Sequence, residues 1–126
     1  MGFLDDNKKE KLHNFTKFVK KELGLKKTPT ISILNSRDGL KTTANYDYTK
    51  EDKIIKVCGK NRALVDIMRS IAHEMTHHKQ FEDGRLTDSK KDGADGSDIE
   101  NEAHAMAGLL IRKYGNLNMN IYEDID

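Results

Sequence analysis

Three histidines and a glutamate lie within six positions of one another in the segment IAHEMTHHKQ, residues 71–80. On a helix, His73 and His77 lie on one face, one turn apart, where both imidazoles can reach a single ion at about 2.0–2.1 Å. Glu74 is offset around the helix, where its carboxylate can reach a metal-bound water without binding the ion. This HExxH spacing predicts a site for one Zn²⁺ ion per chain. The ion would lower the pKa of its bound water, and Glu74 would act as the general base.

A catalytic zinc site also needs a third protein ligand and one open position for water. Five residues could supply it: Cys58, Asp98, Glu100, Glu102 and His104. Glu100 and His104 share one face of the last predicted helix, beside its apolar stripe, so either could turn toward the ion. Glu100 has a competing structural role, because Ser97 followed three residues later by Glu100 is the pattern of a capping box. Spacing alone leaves the third ligand open.

Three of the predicted segments position these residues. Apolar residues at helical spacing predict an N-terminal helix from Asp5 or Asp6 to Gly24. A second stripe predicts a long helix over 62–81, with Asn61 as N-cap, which carries the HExxH residues. A third apolar stripe predicts a helix from Asp98 to Tyr114. His78 points away from the other two histidines and is given no role.

The remaining segments predict a small sheet and two polar stretches. TISIL (30–34), KTTANYDY (41–48) and KIIKVCG (53–59) are rich in β-branched and aromatic residues and are separated by turn-forming sequences. Residues 82–97 predict a loop, and the polar segment 115–126 a surface tail. The prediction is one α+β domain over residues 1–126, in which about three antiparallel strands (30–59) pack with an N-terminal helix (1–24) and the zinc-site helices and loop (61–114).

Charge is distributed unevenly along the chain. Residues 1–62 carry 15 Lys/Arg against 8 Asp/Glu, whereas residues 63–126 carry 7 against 13. A lysine-rich solvated helix face is the simpler interpretation, because no known nucleic-acid motif accompanies the basic charge. The alternative is a non-enzymatic binding, regulatory or structural module, with absent or purely structural zinc, whose basic half contacts an acidic partner or nucleic acid.

Composition favours a cytoplasmic protein without a membrane segment. Only 36% of the residues are hydrophobic, and no apolar run approaches the length of a membrane span. The first residues, MGFLDDNKKEK, turn acidic before a signal-peptide core could form. The single cysteine, Cys58, cannot form an internal disulfide, which agrees with a reducing compartment, and a small buried hydrophobe is its expected role. The oligomeric state is left open.

The HEMTH segment, followed after a loop by a helix with Glu-x-x-Ala, resembles the gluzincin zinc metallopeptidases. The likeness is greatest to minimal single-domain members, such as the ImmA/IrrE-type and related small phage and bacterial peptidases. In that pattern the first glutamate of Glu-x-x-Ala is the third ligand, which falls on Glu100, with Ala103 as the alanine. The resemblance covers residues 61–114 and, loosely, the preceding strands.

That resemblance implies hydrolysis of peptide bonds, with zinc held by His73, His77 and Glu100 and with Glu74 as the general base. His104 departs from the pattern, because many gluzincins have Asp or Asn four residues after the ligand glutamate. A histidine there could orient a zinc ligand through a hydrogen bond, or replace Glu100 in a three-histidine site similar to that of SprT-type proteases.

The resemblance also implies a peptide or protein substrate that pairs with an edge strand preceding the zinc helix. TTANYDY or KIIKVCG could present that edge. Tyr46 or Tyr48 could then polarise the substrate carbonyl. The few apolar groups available to line a pocket favour a single cognate protein as substrate.

Overall fold

The computed structural model describes residues 6–35, 44–47, 53–60, 62–85 and 98–117. Within these ranges the chain forms three helices and three strands: α1 (Asp6–Leu23), β1 (Thr30–Leu34), β2 (Ala44–Asp47), β3 (Ile54–Cys58), α2 (Leu64–Glu82) and α3 (Asp98–Leu117). The predicted α+β class, with a small sheet and three helices, is confirmed.

The sheet is mixed, which corrects the expectation that it is antiparallel. Its strand order is β1-β3-β2; β1 pairs with β3 in parallel, and β2 pairs with β3 antiparallel. Ile55 and Val57 of β3 are fully buried, whereas residues of β1 and β2 are at most partly buried. The most apolar strand therefore takes the centre, where it is protected on both edges. Because β3 is paired on both sides, KIIKVCG cannot present an open edge to a peptide.

Helix α2 lies at the centre of the molecule, in contact with α1, β2, β3 and α3. Its apolar stripe is buried against residues from the other elements, and the core comprises Leu12, Phe15, Val19, Leu23, Leu25, Ile55, Val57, Leu64, Ile67, Met68, Ile71, Ala72, Met75, Ala107, Leu110, Ile111 and Tyr114. Cys58 is a free, buried cysteine, as predicted. The residues of the candidate site are therefore carried by a helix that packs against other elements on several sides.

Aromatic contacts join the last helix to the first. The ring of Tyr114 packs edge-on against Phe15, with centroids 5.1 Å apart, and tilted against Phe18 at 5.0 Å. Such pairs contribute about 0.5–1.5 kcal/mol beyond the area they bury. Since α1 and α3 both pack on α2, these contacts help to fix how α3 crosses α2, and hence where Glu100 lies.

A glycine with positive φ lies just after the end of α1 and just after the end of α2. Gly24 has φ 67°, its N–H donates to Lys21 O, and the N–H of buried Leu25 donates to Lys20 O, which is the Schellman pattern. Gly84 has φ 77°, and the N–H of Arg85 reaches back to Gln80 O at 2.8 Å. The second motif turns the chain sharply and brings Arg85 toward α3.

Several helix boundaries differ from those predicted. Helix α2 begins at Leu64, with Ala63 as an N-cap that makes no side-chain capping bond, whereas Asn61 was expected to cap it; Asn61 lies outside the described residues. Helix α3 continues to Leu117, three residues beyond the predicted end at Tyr114. Among the described residues, no helix is both long and apolar enough to cross a membrane.

Candidate metal centre

Helices α2 and α3 bring His73, His77 and Glu100 together. The Nε2 atoms of the two histidines are 3.2 Å apart, and the two carboxylate oxygens of Glu100 lie 2.6 Å from His73 Nε2 and 3.2 Å from His77 Nε2. One ligand atom from each residue lies within 4.8 Å of the others, so the three side chains could hold a metal ion. Both oxygens of Glu100 face the histidines, whereas Ser97, its expected capping partner, lies outside the described residues.

The spacing of these atoms suits a small tetrahedral ion. Two ligands about 2.0–2.1 Å from one ion at a tetrahedral angle are about 3.3 Å apart. The His73–His77 and His77–Glu100 distances, each 3.2 Å, match this value. The His73–Glu100 distance of 2.6 Å is that of a charge-assisted hydrogen bond and would lengthen by less than an ångström around an ion.

Gln80 determines which nitrogen of His77 faces the site. Its Oε1 lies 2.8 Å from His77 Nδ1, and its amide nitrogen donates to Ile99 O at 3.1 Å and to Glu102 Oε1 at 2.9 Å. With two acceptors occupying its nitrogen, Gln80 presents its oxygen to His77, so Nδ1–H donates to it. The lone pair of His77 Nε2 is therefore directed toward Glu100 and His73, where an ion would bind.

A charged pair extends this support to the surface. Arg85 donates to Glu102 Oε1 at 2.7 Å, the same oxygen that accepts from Gln80. The hydrogen bonds from Arg85 and then from Gln80 hold the pKa of Glu102 below its usual range. Sequence reasoning named Glu102 only as one of five possible third ligands and gave Gln80 no role. The available signal was a glutamine three residues after the second histidine, on the same helical turn.

Glu74 is buried beside the three candidate ligands without belonging to their group. Its Oε2 lies 4.0 Å from His73 Nε2. Burial, and secondarily the negative charge of Glu100, raise the pKa of Glu74 to about 8. A carboxylate in such a place holds a proton readily, and a nearby cation would favour its ionised form. The position suits a proton acceptor close to a metal.

His73 is neutral at neutral pH. Burial, followed by the electrostatic effect of His77, lowers the pKa of His73 to about 4, even though Glu100 acts in the opposite direction. A neutral imidazole has a free lone pair, which is the form that binds metals. Protons therefore compete weakly for this ligand above pH 4.

His104 lies at the exposed side of the group. Its side chain is 70% exposed, its Nε2 is 3.7 Å from Glu100 Oε1, and its ring centroid is 4.5 Å from that of His73. Of the two residues between which spacing could not decide, Glu100 belongs to the group of three and His104 does not.

Tyr46 and His78 join the edge strand β2 to the site-bearing helix. The Tyr46 hydroxyl lies 2.6 Å from His78 Nδ1, and His78 Nε2 lies 2.9 Å from Lys27 O and 3.1 Å from Glu82 Oε2. Tyr46 thus donates to Nδ1, and Nε2–H donates to the two oxygens. His78, to which sequence reasoning gave no role, is 3% exposed and connects three parts of the fold. Tyr48 lies outside the described residues.

Glu82 extends the same network to the segment that follows α1. Its two oxygens accept from the backbone N–H groups of Lys26 and Lys27, each at 3.0 Å. Burial acts to raise the pKa of Glu82, but the hydrogen bonds from these N–H groups and from His78 hold it below its usual range. The end of α2 is therefore tied to the start of β1.

The chain matches no family model, and comparisons with curated proteins and with solved structures give no significant match.

Proposed function

We propose that the protein is a zinc metallopeptidase that holds one zinc ion through His73, His77 and Glu100. The observation that supports this most strongly is the convergence of two imidazoles and a carboxylate beside a second, buried carboxylate, Glu74. Three protein ligands leave a fourth position for water, as in catalytic zinc sites, whereas structural sites have four. A structural site also has no use for Glu74.

Zinc, when bound, supplies a Lewis acid that makes water nucleophilic near neutral pH. Glu74 accepts a proton from the attacking water as the new C–O bond forms at the peptide carbonyl. It then returns the proton to the leaving nitrogen as the C–N bond breaks. Gln80 keeps His77 in the tautomer that binds metal throughout, because its oxygen occupies Nδ1–H.

Iron is the main competing metal. Two histidines and one carboxylate with open positions also bind Fe²⁺ in non-haem oxygenases. Zinc is favoured because a buried carboxylate beside the ion serves hydrolysis directly. A chain that takes up iron in preference to zinc would contradict this part of the proposal.

The substrate we propose is an extended peptide, within a peptide or protein, that lies alongside β2, the last strand in the order β1-β3-β2. Tyr46 anchors β2 to α2 through His78. For Tyr46 to polarise the substrate carbonyl, its hydroxyl would have to leave His78, so we assign Tyr46 to anchoring.

The test compares wild type with Glu74→Gln, using a mixture of quenched fluorescent peptides of randomised sequence. Glu74→Gln should retain one zinc per chain and lose hydrolysis by about 10²–10⁴-fold, because it removes only the proton acceptor. Asp66→Asn, at an exposed position in the first turn of the same helix, is the control. Equal hydrolysis by Glu74→Gln and wild type would remove Glu74 from the mechanism.

A binding module is the second candidate, because α1 exposes Lys9, Lys17 and Lys21. A groove of about 310 Å³ between α1 and β1 combines Lys9 and His13 with apolar residues. This function predicts salt-dependent binding to DNA or to an acidic protein. Such binding should disappear when the lysines of α1 are neutralised: Lys8, Lys9, Lys11, Lys17, Lys20 and Lys21. It should be unaffected by Glu100→Ala.

A further inference from the structure

One imidazole close to the candidate metal centre has no part in the proposed ligand set. His104 follows Glu100 by four residues on α3, so the two side chains lie on the same face of that helix, one turn apart. Its ring lies over that of His73 at a centroid distance of 4.5 Å and an interplanar angle of 56°. His104 is thus a potential metal ligand at the entrance to the group.

His104 is placed here by contacts with two candidate ligands, the His73 ring and the Glu100 carboxylate. The side chain is 70% exposed, so burial holds it weakly. The distance of 3.7 Å from His104 Nε2 to Glu100 Oε1 exceeds that of a hydrogen bond. An exposed side chain changes rotamer within nanoseconds, which allows a small rotation to bring a ring nitrogen toward the three converging ligand atoms.

We propose that His104 is an exchangeable fourth protein ligand of the metal, and this rests on the metal site of the proposed function. In the closed form, His73, His77, Glu100 and His104 would hold the ion together and leave no position for water. In the open form, His104 swings into solvent and leaves the fourth position to water. A peptide carbonyl that took the fourth position would displace His104 and so favour the open form. The resting enzyme is therefore latent and holds its ion more tightly than three ligands would.

A cysteine at position 104 provides a direct test, with cobalt(II) in place of zinc. If side chain 104 reaches the ion, His104→Cys should produce the near-ultraviolet thiolate-to-cobalt charge-transfer band, which wild type lacks. The only natural cysteine, Cys58, is buried and lies outside the group of three. Because position 104 is largely exposed, the substitution should leave the fold intact.

Zinc affinity and the cobalt spectrum of His104→Ala supply a second readout. Because His104→Ala loses one ligand, its zinc Kd should rise about tenfold or more. The loss of a residue that only orients a ligand already raises a metal Kd by about 10–100-fold. The visible cobalt bands should weaken as water replaces the imidazole. His13→Ala, which removes an exposed histidine from α1, is the matched control and should match wild type.

The outcomes separate this inference from the proposed function. A charge-transfer band in His104→Cys without peptide hydrolysis by wild type would support the fourth ligand and contradict the peptidase. Hydrolysis by wild type, with no band in His104→Cys and an unchanged zinc Kd in His104→Ala, would overturn the fourth ligand alone. Failure of wild type to bind either metal would overturn both.

Discussion

Gln80 Oε1 lies 2.8 Å from His77 Nδ1, so one buried amide selects the metal-binding nitrogen of one candidate ligand. Gln80 is itself held by Ile99 and Glu102 of the neighbouring helix. The same contacts therefore orient His77 and fix the position of α3 beside it. This coupling means that the site is arranged before any metal binds, which lowers the entropic cost of binding.

Replacing Gln80 by leucine should weaken zinc binding about 10–100-fold, because His77 would lose the acceptor that fixes its tautomer. The variant should also lose about 1–3 kcal/mol of stability, since the buried His77 Nδ1–H is left without its acceptor. Chelator competition measures the affinity, and urea unfolding measures the stability. Lys79→Ala, at the preceding position on α2, is the control. An unchanged zinc Kd in folded Gln80→Leu would remove Gln80 from the support of the site.

Glu74 should make the stability of the metal-free protein depend on pH. Its folded-state pKa of about 8 lies above the usual value of 4.5, so between these values the folded state binds more protons than the unfolded state. Stability should therefore fall as the pH rises through this window, by up to about 1.4 kcal/mol for each unit. Below pH 4.5 the contribution of Glu74 to the stability of the folded state is constant.

Glu74→Gln removes this decline, so the variant should gain stability relative to wild type as the pH rises. Urea unfolding of both metal-free proteins at about pH 5 and about pH 8 measures the difference. A stability difference between the two proteins that stays the same at both pH values would contradict the assignment of a buried, protonated Glu74.

His78→Ala should destabilise the fold while leaving the zinc ligands in place. The substitution removes the bonds from His78 to Tyr46, Lys27 and Glu82 in a partly buried setting. Because Glu82 keeps its N–H donors from Lys26 and Lys27, we expect a total cost of about 1–3 kcal/mol. Tyr46→Phe removes one hydroxyl and should cost about 1 kcal/mol. Thermal unfolding of the zinc-free proteins measures both. Full stability of His78→Ala would show that this network does not hold β2 against α2.

Helix periodicity was sufficient to predict the local part of the site. His73, His77 and Glu74 lie within one helix, so their mutual arrangement follows from 3.6 residues per turn. The same reasoning predicted the N-terminal helix, in which Phe15 and Val19 are buried. It could not decide between Glu100 and His104, because that choice depends on how α3 crosses α2.

The sheet order was not predictable for a related reason. Alternation within a strand indicates which face is buried, yet it does not determine which strand is the neighbour. The antiparallel expectation therefore holds for β2–β3 and fails for β1–β3. The role of Gln80 depends on Glu102, 22 residues away, and the role of His78 depends on Lys27, 51 residues away. No local sequence pattern reveals contacts over such separations.

One zinc ion should bind to His73, His77 and Glu100. Elemental analysis of wild type, Glu100→Ala and Asp98→Ala, purified together without chelator, measures this. Asp98→Ala is the control, because Asp98 is an exposed carboxylate in the first turn of the same helix. One zinc per chain in wild type and in Asp98→Ala, with zinc lost or loosely held in Glu100→Ala, is the predicted result. No zinc in wild type even after reloading, or full zinc in Glu100→Ala, would contradict it.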